Sequence, residues 1–221
     1  MLTRDGVVGD YTLDSDCTPE ERGRIIDTLI SLHTAKKYKQ ATFYCAVGIC
    51  DRYLRRRADQ KFAGRWDDYA TLATVCLLMA AKLEQPMSPD FNMMIWALPQ
   101  PLRKFVSKPE LLDLEENIIR TLDFDVQQVG PLLFAERFLQ VIGLNGTTSE
   151  CVLKCCDEIC KYLARKAHIY LVHSSSIVAA VAVTLALAVC SDRNLAKTLS
   201  AFYLPELKQL NKSSDFNIWW S

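Results

Sequence analysis

Cys151, Cys155, Cys156 and Cys160 crowd one short stretch of the chain, and thiolates at that density are common ligands of a structural zinc ion. No Cys-x-x-Cys pair is present, and one helix cannot aim all four sulfurs at a single ion. The spacing therefore predicts buried thiols in a packed core and no metal. The chain holds nine cysteines, most of them inside apolar helical patterns and without the paired spacings of a secreted framework. Together with the start MLTRDGVVGD, which lacks an apolar signal-peptide core, this predicts reduced thiols in the cytoplasm or nucleus.

Other residues with chemical potential are equally uncommitted. His33, His168 and His173 have no Glu-x-x-His partner and fall at or near expected helix ends, where solvated or capping roles are common. The eight glycines form no Gly-x-Gly-x-x-Gly array. No nucleophile stands with a base, and no phosphate loop is visible, so the sequence predicts no catalytic residue, no cofactor and no enzymatic activity. Lys plus Arg equals Asp plus Glu at 26 each, which leaves no net field to hold a polyanion and argues against nucleic-acid binding. The apolar run from Ile177 to Cys190 is shorter than the roughly 20 residues of a membrane span, so no membrane partner is expected.

The elements behind these residues are helical throughout. Apolar positions recur at helical spacing, strand-like alternation is missing, and 50% hydrophobic composition over 221 residues can fill one large core or two small ones. Thr18-Pro19-Glu20-Glu21 is a capping box that opens a helix from Pro19 to Lys36, with Ile25, Ile26, Leu29 and Leu32 on its inner face. A second helix runs from about Gln40 to Arg57 and buries Phe43, Val47, Cys50 and Leu54. The cations Arg55, Arg56 and Arg57 suit its carbonyl-rich end. A third, from about Asp68 to Leu83, is apolar on every face and must be surrounded by others. Ser88-Pro89-Asp90 starts a short fourth helix, closed by Pro99 and Pro101, and Ser107-Lys108-Pro109-Glu110 caps a fifth that ends near Leu122.

Gly130-Pro131 marks a new start. Helices follow from about Pro131 to Ile142, Ser149 to Lys166 and Ser174 to Cys190, the last again apolar all round through Ile177 to Val183. Two central buried helices in two halves predict a tandem of helical bundles: an extension over 1–18, a first bundle over 19–128 and a second, shortened one over 129–221. Phe216, Ile218, Trp219 and Trp220 place unusual apolar area near the last residue, and a docked tail is expected there.

Four separated blocks then carry a resemblance. Ile26-Asp27-Thr28-Leu29-Ile30-Ser31-Leu32-His33, Ala41-Thr42-Phe43-Tyr44-Cys45-Ala46-Val47 with Asp51-Arg52-Tyr53-Leu54, Leu77-Leu78-Met79-Ala80-Ala81-Lys82-Leu83-Glu84, and Leu114-Glu115 through Leu122-Asp123-Phe124-Asp125-Val126 resemble, in order and spacing, the cyclin box of mitotic and S-phase cyclins. In the second half, Ile169-Tyr170-Leu171-Val172-His173-Ser174-Ser175-Ser176-Ile177 is similar to the segment entering the third helix of the second cyclin fold, with serines where the family often has proline.

The resemblance implies an all-α, tandem cyclin fold and a regulatory subunit that binds and activates a cyclin-dependent Ser/Thr protein kinase as a heterodimer, in nucleus or cytoplasm. Protein substrates or inhibitors are further partners that it implies. It places Lys82 and Glu115 against the C helix of the kinase, with Leu83, Ile119, Phe124 and Val126 supplying apolar surface. It also locates a substrate-docking groove, which this sequence degrades. The family's "MRAIL" stretch with its tryptophan aligns here with Glu21-Arg22-Gly23-Arg24-Ile25 and Thr28, of which Arg22 and Ile25 fit the pattern. Ala70 stands where the family often has glutamine, and Tyr69 or Tyr44 is the side chain that could refill the floor. The alternative is a cyclin-fold scaffold or a transcription-factor-like module that activates no kinase.

Overall fold

The computed structural model describes residues 7–13, 17–59, 69–87, 89–104 and 106–190. The expected start of the third helix at Asp68, the cap residue Ser88 and the apolar tail at Phe216, Ile218, Trp219 and Trp220 lie outside them. Every regular element of the described residues is helical, in agreement with the sequence, and no helix is long and apolar enough to cross a membrane.

A 3-10 turn, Tyr11–Leu13, precedes α1 (Pro19–Lys36), α2 (Gln40–Asp59), α3 (Tyr69–Glu84), α4 (Phe91–Ala97), α5 (Gln100–Arg103), α6 (Lys108–Thr121), α7 (Pro131–Val141), α8 (Gly146–Ala164), α9 (Ala167–Tyr170) and α10 (Ser175–Val189). The described residues fall into two compact units, one drawn from Met1–Gly130 and Ala164–Val172, the other from Pro131–Leu163 and His173–Ser221.

In the first unit α1 starts where its capping box predicts. Thr18 is in extended conformation, its Oγ1 accepts from the Glu21 N–H at 3.2 Å, and the Glu21 carboxylate accepts from the Thr18 N–H at 2.7 Å, so two orphan amides at the helix start are satisfied. The helix stops at Lys37, whose φ of 53° is left-handed and cannot continue it. α3 is buried from Ala70 through Ala81 and packs against α1, α2, α4 and α6. That is the outcome its all-round apolarity demands. Its one mid-helix hydroxyl is satisfied internally, Thr74 Oγ1 donating to the Ala70 carbonyl at 2.7 Å.

The stretch after α4 departs from the expectation. Pro99 and Pro101 do not simply close a helix; Pro101 sits in the first turn of α5, where a missing N–H is harmless. Likewise the segment expected as one helix from Ser149 to Lys166 begins at Gly146 and is broken near Arg165, with α9 beyond it. In the second unit α10 is buried along Val178 to Thr184 and packs on α7, and Thr184 Oγ1 donates to the Ala180 carbonyl at 2.9 Å, repeating the device of Thr74.

Candidate functional site

Two helices bring the principal pair together. Lys82, in the last turn of α3, reaches Glu115 on α6, its Nζ 2.5 Å from Oε1 and 2.8 Å from Oε2. The Lys82 side chain is 34% exposed and that of Glu115 14%, so the pair lies at the surface with its carboxylate mostly covered. An ammonium carries three donors and two of them go to Glu115. One donor remains for a partner's carbonyl, and the carboxylate oxygens can still accept from a partner's N–H.

Phe91, at the start of α4, steadies this ammonium. Lys82 Nζ lies 5.3 Å from the ring centroid and Lys108 Nζ 5.6 Å, distances at which a cation is held by the ring face.

Glu115 also belongs to a groove of about 340 Å3 lined by Leu112, Glu115, Glu116, Ile119, Arg120 and Phe124. Three apolar and three charged side chains line it, with Glu116 and Arg120 paired across one helical turn at 2.7 Å. Phe124 is 78% exposed and sits in the left-handed region at φ 62°, directly after Asp123 at φ 52°. Two consecutive non-glycine residues there carry strain of about 1 to 3 kcal/mol each. The turn is held by Phe124 N–H donating to the Ile119 carbonyl at 3.0 Å and by the buried Arg52, whose Nη1 donates to the Asp125 carbonyl at 2.8 Å. Arg56 adds an exposed ion pair to Asp123 at 3.4 Å. Arg56 and Arg57 lie in the last turn of α2, and Arg57 also lies 5.7 Å from the Tyr53 ring centre.

Of the six sequence-expected kinase-contact residues, the structure joins Lys82 to Glu115 and places Glu115, Ile119 and Phe124 on one groove. Leu83 follows Lys82 as an exposed apolar side chain, and Val126 is half-buried; neither lines the groove. Leu112, Phe91 and Arg52 were missed. Leu112 had a signal, since it precedes Glu115 by three residues on the same helical face, whereas the ring over Lys82 and the clamp on the Asp125 carbonyl are tertiary.

The docking stretch looks different from the sequence reading. Arg22 is fully buried, its guanidinium on Asp51, so it is no part of a surface groove. Ile25 is 2% exposed and belongs to the core of the first unit. Thr28 is buried with Oγ1 donating to the Arg24 carbonyl at 2.8 Å, and Ala70 is buried as well. Glu21 is half-buried and engaged in the cap, Arg24 is exposed and Tyr69 is half-buried. Tyr44 is buried, edge-on to Phe43 at 5.0 Å, which takes it away from refilling a surface floor. The physical reason is helical phase: Arg22, Ile25, Ile26, Thr28 and Leu29 share the inward face of α1, while Glu20, Arg24, Asp27 and Ser31 turn to solvent.

The cysteine stretch is split in the same way. Cys156 and Cys160 are fully buried, but Cys151 is exposed and Cys155 half-buried, so the expectation of uniformly buried thiols is corrected by the phase of α8. His33 is also buried rather than solvated, its Nε2 3.1 Å from the Lys39 carbonyl, which ties the end of α1 to the start of α2.

The profile of the family described as "Cyclin, N-terminal domain" matches residues 8–127. Among curated proteins, the chain is 25% identical over 174 residues to Cyclin-A1-1 of Arabidopsis thaliana, covering 79% of this chain and 36% of that protein. It is 26% identical over 127 residues to G2/mitotic-specific cyclin-B of Dictyostelium discoideum, covering 58% of this chain and 27% of that protein. The chain thus spans well under half the length of these relatives. Among solved structures, the X-ray structure of a viral cyclin from Herpesvirus saimiri aligns with a TM-score of 0.67 over 86% of this chain and 85% of that one, at 17% identity, which is likeness of fold.

Proposed function

This chain belongs to the cyclin family, and from that premise we propose that it is a regulatory subunit that binds a cyclin-dependent Ser/Thr protein kinase and activates it. The observation that carries the reading is the Lys82–Glu115 pair standing beside the Leu112, Ile119 and Phe124 groove. A surface ion pair alone is worth about 0 to 1 kcal/mol. Next to an apolar groove that a partner can cover, the same pair becomes a desolvated anchor, and anchors of that kind cost more than about 1 kcal/mol when truncated.

The occupant that fits is an amphipathic helix of the kinase. Its apolar face would enter the groove, and backbone groups at its end would meet the remaining Lys82 donor and the Glu115 oxygens. Activation is then a population shift. The chain binds the kinase conformation whose C helix is turned inward, where the ATP-site lysine and glutamate pair, and it contributes binding energy without chemistry. The names of the relatives, among them a G2/mitotic-specific cyclin-B, support a setting in cell-cycle progression.

The test is a pull-down from a panel of purified cyclin-dependent kinases, followed by phosphorylation assays on each captured complex. Capture with a gain in kinase activity is expected. Capture without any gain supports a scaffold instead, and no capture from the panel overturns the reading.

A further inference from the structure

Cys155 and Cys190 meet in the second unit without any role in the proposed kinase contact. Cys155 lies on α8, and Cys190 is the residue that ends α10, its N–H still donating to the Ala186 carbonyl at 2.8 Å. Their sulfurs are 3.6 Å apart. Cys151, one turn before Cys155 on the same face of α8, is exposed.

This cluster differs from the packing thiols beside it. Cys156 and Cys160 occupy the opposite stripe of α8 and are fully buried, whereas Cys155 and Cys190 are half-buried and open to small solutes. Metal binding does not explain the grouping, because no set of three Cys, His, Asp or Glu among the described residues is arranged to hold an ion. A disulfide needs two sulfurs from different elements that can close to about 2.05 Å by side-chain rotation, and this pair begins within reach.

We propose that Cys155 and Cys190 are a reversible modification site, a dithiol that hydrogen peroxide oxidises to a disulfide stapling α8 to the end of α10.

The chemistry balances within the pair. The Cys155 thiolate attacks one peroxide oxygen, the O–O bond breaks, and Cys155 becomes a sulfenic acid as hydroxide leaves and is protonated. The Cys190 sulfur then attacks the Cys155 sulfur, the S–S bond forms and the S–O bond breaks. The proton of Cys190 goes to the departing hydroxide. Two thiols lose two electrons and two protons, and peroxide becomes two waters. Burial pushes the Cys190 thiol up to about 11, assisted by its contacts with Cys155 and Cys151. Cys190 therefore holds its proton until that step, and Cys155 is the residue that meets the oxidant first.

The experiment exposes the full chain, fully reduced, to hydrogen peroxide, quenches with an alkylating reagent and maps the peptides. A Cys155–Cys190 linked peptide is expected, lost on treatment with dithiothreitol. Cys190→Ser should give no such link and should leave Cys155 as a sulfenic acid that dimedone traps, while Cys156→Ser should keep the link. Cys50 and Cys76, in contact and fully buried in the first unit, are the internal reference for unfolded chain. The Cys155–Cys190 link should form at least about ten-fold faster than any Cys50–Cys76 link, since only the latter requires global opening. Equal rates for the two pairs, or oxidation of Cys155 without a link to Cys190, overturn the proposal.

Discussion

The guanidinium of Arg22 lies side by side with the carboxylate of Asp51, Nε 2.8 Å from Oδ1 and Nη2 2.8 Å from Oδ2, and neither residue is more than 1% exposed. Arg22 Nη1 donates to the Ala164 carbonyl at 2.5 Å, and the buried Tyr11 hydroxyl donates to Asp51 Oδ1 at 2.9 Å, so the pair is satisfied on several sides. Burial alone pulls the Arg22 guanidinium down, and the charge and hydrogen bonds of Asp51 more than reverse it. A bidentate buried pair of this kind holds α1 to α2 and to the segment that precedes α9.

Removing one member should therefore be far more damaging than an exposed substitution. Asp51→Ala leaves a buried, uncompensated cation, and unfolding in guanidinium chloride should show a loss of about 3 to 5 kcal/mol. Tyr11→Phe removes one neutral donor and should cost about 1 kcal/mol. A loss below about 1 kcal/mol for Asp51→Ala would mean that Arg22 finds water or another partner, contrary to its burial.

Stability and partner binding should separate at the groove. Phe124 holds a left-handed φ of 62° while exposing its ring, an arrangement that strains the folded chain. Phe124→Gly should raise stability by up to about 1 kcal/mol, because glycine adopts that conformation freely. The same change should weaken kinase capture by more than about 1 kcal/mol, as should Lys82→Ala and Glu115→Ala, with circular dichroism unchanged. Titration calorimetry against the captured kinase checks all three. Unchanged affinity across the set would remove this surface as the contact.

The helices were legible because their signals are local. Capping boxes at Thr18 and Ser107 gave two helix starts, and the all-round apolarity of Leu72 to Ala81 marked α3 as central, as burial bears out. Lys82 and Glu115 were found through a motif match. Their pairing carries no local signal, since they stand 33 residues apart and meet only once α3 packs on α6. Arg22 matched the motif, but its burial had no local signal either. Its partner Asp51 lies on another helix, and a charged residue on α1 looks solvent-facing until that partner is placed.

Gly130 shows a signal that was read for its place but not its cause. The sequence takes Gly130-Pro131 as a junction. In the structure a Cβ on Gly130 would stand 2.3 Å from Tyr44 Cβ and 2.9 Å from its Cγ, closer than any real contact. Tyr44 cannot swing away, because it is buried against Phe43. Gly130→Ala should thus destabilise by about 1 to 3 kcal/mol through overpacking, read as a lower melting temperature. Adding Tyr44→Gly to that variant opens the space and should recover part of the loss relative to Tyr44→Gly alone. Full additivity of the two changes would show that they do not meet.

Substrate recruitment is the property in which this chain should depart from its relatives. A groove for Arg-x-Leu peptides requires an apolar floor on α1, and among the described residues no large exposed apolar side chain lies on that helix. Ile25, Thr28 and Ala70 are buried flush with the core, so they offer little area to a ligand. What faces solvent is polar: Arg24 is exposed, and Asp27 is engaged by Arg165 Nε at 2.6 Å. Glu21 is fixed in its capping box and cannot leave without exposing the Thr18 amide. At about 25 cal/mol per Å2, losing roughly 150 Å2 of apolar contact removes several kcal/mol of docking energy. The rescue by Tyr44 fails because that ring is packed inside, and Tyr69 alone is half-buried. The complex with its kinase should therefore phosphorylate peptides with and without a distal Arg-x-Leu motif at similar kcat/KM. A ten-fold gain on adding the motif, equivalent to about 1.4 kcal/mol of docking, would show that a working groove forms from other residues.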